Sequence, residues 1–184
     1  MSTAIGIVEL SSIAAGYQAH DAMLKAADVE SIIARTICSG KFLVVIGGSV
    51  SAVTSALAAA THVAGGFLIE VLNIPNIDRQ VFAALSGTVQ LSADHSRAMG
   101  IVETFSATPI IEAADAAVKT ADVTLYRVHV SMAIGGKGFM LLNGDVAAVN
   151  SAVDAAKEVI KVSGMLVNTV VIPSASPQLF MDYV

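Results

Sequence analysis

"FLVVIGGSVSAVTSALAAATHVAGGFLI", Phe42 to Ile69, contains no Asp, Glu, Lys or Arg. A run of that length can cross a bilayer, so its reading decides between a membrane span and the core of a globular domain. Gly47-Gly48, Gly65-Gly66, His62 and several Ser and Thr residues interrupt it. With those breaks it parses as strand, helix, strand. Phe42–Ile46 is short and rich in β-branched residues, Ser49 suits a helix N-cap, and the helix runs to about Ala64.

The rest of the chain supports the second reading, because the stretch has a counterpart. Residues 40–60 match residues 136–156 at 10 of 21 positions, an offset of 96, and residues 4–34 match 98–128 at 13 of 31, an offset of 94. "AIGIVE" at Ala4 returns as "AMGIVE" at Ala98, and "DAMLKAADV" at Asp21 as "DAAVKTADV" at Asp115. In the second copy the helix reads "GDVAAVNSAVDAAKEVIKVSG" and carries Asp145, Asp154, Lys157, Glu158 and Lys161. An amphipathic helix explains both copies, whereas a membrane span explains one.

The chain therefore divides into domains at 1–85 and 95–184, joined by "SGTVQLSADHS". Each reads β-α-β-β-α-β, the ferredoxin-like split βαβ order with an antiparallel sheet, which makes the fold class α+β. Such a sheet carries its helices on one face and leaves the other to water, a partner or a lumen. The two-residue change of offset places an insertion between Ala34 and Gly40, around Cys38, the only cysteine of the 184 residues.

Composition narrows the function. Hydrophobic residues make up 55% and charged residues 14%, against about 25% charged in an average soluble domain. Much of the surface is thus expected to lie in protein–protein contacts. A net charge of −5 without a basic stripe argues against nucleic acid. A single cysteine and no recognisable signal peptide fit a reducing cytoplasm. No nucleophile–base arrangement is apparent, so the chain reads as a non-enzyme. "VIGGSVSAV" could mimic a phosphate cradle, but its counterpart "LLNGDVAAV" sets Asp145 at the helix start, so both read as turns with N-caps. His20, His62, His95 and His129 show neither ligand spacing nor repetition.

The strings "GIVEL…DAMLKAADV…GKF…GGSVSAV" and "GIVET…DAAVKTADV…GGKGF…NGDVAAV" resemble bacterial microcompartment shell domains of the unpermuted type. Two in one chain resemble the family's tandem-domain, trimeric class. The resemblance implies a homotrimer with the outline of a hexamer, tiled with other shell proteins in the shell of a cytoplasmic organelle. It is nearest the propanediol-utilisation branch, through "TICSGKF" at Thr36 and "AIGGKGF" at Ala133. In that branch the first-copy loop cysteine lies on the threefold axis and binds iron and sulfur.

Carried onto this chain, Cys38 becomes the metal ligand. One [4Fe–4S] cluster per trimer would be shared by three Cys38 residues, for electron transfer across the shell to a lumenal or cytosolic redox enzyme. Ser39, Gly40, Ser131, Met132, Ala133, Ile134 and Gly135 become pore-lining residues, and Lys25 and Lys119 the tile-edge interface. The family's Pro-Arg-Pro-type edge arginine is missing from "IPNID" and "IPSAS", with Arg79 displaced. By itself a lone cysteine reads as a small buried hydrophobe, and Ser131–Gly136 as an ordinary hairpin. A metal-free tile with a central transport pore stays open, as does a ferredoxin-like small-molecule-binding regulator.

Overall fold

The computed structural model describes residues 3–89 and 98–181. His95 and most of the linker lie outside them. The chain forms two compact units, Met1–Ile77 and Asp78–Val184.

In the first unit, β1 (Ala4–Leu10), α1 (Ile13–Ala26), β2 (Val29–Ile37), β3 (Lys41–Gly48), α2 (Val50–Ala64) and β4 (Leu68–Pro75) follow the expected order. The sheet is antiparallel, in the order β2-β3-β1-β4. Strand alternation sends Ala4, Val8, Leu10, Phe42, Val44 and Ile46 to one face. There they pack against Ala15, Ala19 and Met23 of α1 and Val53, Ala56, Leu57, Ala60 and Ala64 of α2. The alanines let the helices approach closely, and Gly6 completes the fit, because a Cβ there would lie 2.8 Å from Val53 Cγ1. Ser12 and Ser49 cap the two helices, accepting from the N–H groups of Ala15 and Ala52. Val50–Phe67 is long and apolar enough to cross a membrane by length and composition, yet here its buried stripe faces the sheet.

The second unit repeats the plan with β5 (Ala98–Thr104), α4 (Ala107–Thr120), β6 (Val123–Val130), β7 (Gly138–Gly144), α5 (Val146–Ser163) and β8 (Leu166–Ile172), sheet order β6-β7-β5-β8. Gly100 repeats the Gly6 device against Leu142 and Val149. Asp145 starts α5 without a side-chain cap bond.

Two short helices go beyond the expected six-element pattern. Arg79–Ser86, here α3, opens at Asp78, whose Oδ1 accepts from Gln80 N–H, and closes at Gly87 in the left-handed region. It follows the first copy in chain order, yet belongs to the second unit. Pro177–Met181, here α6, closes the described chain. Its Phe180 joins Met99, Tyr126, Leu141 and Ala175 on the face of the second sheet away from α4 and α5.

Candidate functional site

Cys38 lies at the tip of the β2–β3 hairpin. Ile37 pairs with Lys41, so only Cys38, Ser39 and Gly40 form the turn. Such a tight reversal forces backbone into the left-handed region, and Ser39 (φ 66°) and Gly40 (φ 71°) both occupy it. Ser39 and Gly40 are exposed and Cys38 is half-buried.

The β6–β7 hairpin is the matching tip, with a wider loop. Val130 pairs with Gly138, and Ser131 N–H donates to Lys137 O, which leaves Met132–Gly136 to make the turn. Ser131 is fully buried, and its hydroxyl donates to Gly136 O at 2.8 Å, tying the loop to itself. Met132, Ala133 and Gly135 are exposed, with Ile134 half-buried. Ala133 takes φ 61° without a glycine's freedom. His129 braces the loop: its ring stacks on Phe139 with centroids 5.1 Å apart, and Nε2 donates to Met132 O at 2.8 Å.

Each tip stands on a lysine–carboxylate pair. Lys41 Nζ donates to Glu9 at 2.7 Å, and Lys137 Nζ to Glu103 at 2.8 Å. The repetition of Glu9 as Glu103 is plain in the sequence, but their partners, 32 and 34 residues away, are not. A signal existed: Lys41 and Lys137 also repeat, at the offset of 96. The two pairs differ in burial. The Glu9 side chain is fully buried and that of Glu103 is 33% exposed.

Lys25 and Lys119 sit in the last turns of α1 and α4, in unlike settings. Lys25 pairs with Asp21, and both side chains are well exposed. Lys119 pairs with Asp115, which is buried and also accepts the Asp78 N–H at 2.8 Å. Glu112, about one turn N-terminal to Asp115 on α4, is held above the ordinary carboxylate range by burial, with the Asp115 charge adding to the effect.

The hairpins supply few donors for a metal within one chain. Among the described residues, no three His, Cys, Asp or Glu side chains are grouped to hold an ion. One chain offers one thiolate, so an iron–sulfur cluster fits only if symmetry brings several tips together.

Comparison with known proteins matches the BMC domain model twice, over residues 4–77 and 98–175. The chain is 48% identical over 184 residues to the bacterial microcompartment shell protein PduT of Citrobacter freundii, covering 100% of this chain and 99% of PduT. The shell protein EutM of Salmonella typhimurium is 42% identical over 76 residues, 41% of this chain and 77% of EutM. Among solved structures, a microcompartment protein from Desulfitobacterium hafniense gives a TM-score of 0.90 at 44% identity, covering 97% of this chain and 98% of its own. A fused permuted hexameric shell protein of the RMM microcompartment gives 0.64 at 25% identity, covering 86% and 81%.

Proposed function

The chain belongs to the bacterial microcompartment shell proteins as a tandem of two BMC domains, and from that premise we propose that three copies close into one tile with a redox-active centre. The family sets it in the shell and, with that, apart from the ferredoxin-like regulators. In the proposed tile three chains supply six domains around the axis, and the two kinds of hairpin tip alternate around it. Lys25 and Lys119 lie at the perimeter, against neighbouring shell proteins.

One observation carries the proposal: the only thiol of the chain is at the apex of a three-residue turn. Three Cys38 thiolates then hold one [4Fe–4S] cluster at three corners. When bound, a cluster would supply one-electron transfer, here across the shell to a lumenal or cytosolic redox enzyme. The chain's own residues do the rest. Lys41 and Glu9 anchor the strand ends that carry the turn. The turn at Ser39 and Gly40 exposes backbone N–H groups next in sequence to the thiol, which could donate to cluster sulfurs and tune the potential. Met132, Ala133 and Ile134 form an apolar collar that keeps water back.

Anaerobic protein should contain about four iron and four sulfide per three chains, and Cys38→Ala should contain neither while the trimer persists. Iron retained in Cys38→Ala, or none in anaerobically prepared parent, overturns the cluster. The second result favours a metal-free tile with a transport pore.

A further inference from the structure

The contact made by α3 is half of a pair. Gln80 grips the outer edge of β6 through both ends of its amide: Nε2 donates to Val123 O at 3.2 Å, and Oε1 accepts from Leu125 N–H at 2.9 Å. The carboxamide so satisfies two backbone groups of an edge strand, in the way a neighbouring strand would. Asp115 completes the clasp by accepting the Asp78 N–H.

Every element of that clasp has a counterpart. "IPNIDRQVF" at Ile74 aligns with "IPSASPQLF" at Ile172, so Gln80 corresponds to Gln178 and Asp78 to Ser176. The gripped edge corresponds to Val29 and Ser31 of β2. The register agrees: Val29 pairs with Gly48 as Val123 does with Gly144, and both ladders shift one residue after Ser31 and Leu125. The carboxylate corresponds to Asp21. Yet α6 is anchored on its own sheet by Phe180, and Gln178 is exposed. Among the described residues nothing is seen to cover the β2 edge, and the Asp21 side chain is 61% exposed where that of Asp115 is 9%.

We infer that α6 of one chain clasps the β2 edge of a second copy. Gln178 bridges Val29 O and Ser31 N–H of that copy, and Asp21 accepts the Ser176 N–H. The contact is heterologous, each chain giving its α6 and receiving another on β2, and such contacts make a ring where the rotation between copies closes. This rests on the trimeric reading and adds its joint.

The test uses the full chain in a Cys38→Ala background, so that introduced thiols are the only ones. Ser31→Cys with Gln178→Cys, treated with a short bismaleimide, should give species of two and three chains on denaturing gels, and either substitution alone should not. Gln178→Ala, with two hydrogen bonds lost at each of the three joints, should raise the trimer's dissociation constant from sedimentation by about tenfold per joint, about a thousandfold in all, with the monomer's circular dichroism unchanged. Trimers that do not cross-link between chains, or that dissociate like the parent after Gln178→Ala, overturn the joint and leave the trimer standing. A parent that is monomeric at tens of micromolar overturns both.

Discussion

Replacing Lys41 and Lys137 by Met, one at a time, compares the same ion pair at two depths. Met keeps most of the aliphatic stem and removes the charge, so the loss is electrostatic rather than one of packing. Breaking a buried pair from one side costs about 3–5 kcal/mol, because the remaining charge stays in a poorly solvated place. Glu9 is fully buried, but 29% of the Lys41 side chain reaches solvent, so about 2–3 kcal/mol is expected for Lys41→Met. At the second hairpin Lys137 is 40% and Glu103 33% exposed, and the expected loss is under about 1 kcal/mol. Urea unfolding at one fixed protein concentration reads the difference, since self-association adds to apparent stability. Hydrogen exchange should show faster opening of β2 and β3 in Lys41→Met, and little change around β6 and β7 in Lys137→Met. Equal losses at the two sites, or a larger one for Lys137, would refute the argument from burial.

Gly16→Ala should destabilise by about 2 kcal/mol although alanine favours helix, because its Cβ would meet Phe42 Cγ at 2.3 Å, near the root of a buried ring; Gly66→Ala, with open space around it, should cost nothing by the same thermal melts. Lys119→Asp should lower stability more than Lys25→Asp, since it sets a second carboxylate beside buried Asp115 rather than exposed Asp21; tile assembly is therefore better tested with Lys→Gln at both positions, where loss of sheets in electron micrographs with trimers retained is the expected result. Glu112 has a folded pKa above its ordinary 4.5, so its contribution to stability is full below that value and is lost as pH rises through the raised one; Glu112→Gln should flatten the stability profile just above pH 4.5, which denaturation at several pH values will show.

Much of the fold is legible because its causes are local or repeated. Ser49 before an apolar helical run and Pro75 after a β-branched one mark ends that the structure keeps. The doubled "GIVE" and "DAxxKxADV" strings expose the tandem directly. What escapes are pairings across the sheet. Lys41 reaches Glu9, and Gln80 reaches Val123 and Leu125, over separations that no periodicity records. The helix α3 has ordinary signals in Asp78 and Gly87, which the six-element pattern of each copy leaves unused. At the hairpins, sequence sets the loop lengths and the place of the cysteine. It cannot give the left-handed backbone at Ser39 and Ala133, since neither residue type announces it.

The unequal hairpin loops bear on counting. A ring made of one repeated domain must show the same side chain at every position, so a thiol at its centre comes six times or not at all. Fusing two copies halves that obligation. One tip can keep its cysteine in a turn of three residues while the other widens and turns apolar, and any ring of such chains presents its thiols at every second position. Divergence within a single polypeptide thus sets the number of reactive groups at an axis without altering the outline of the assembly around it.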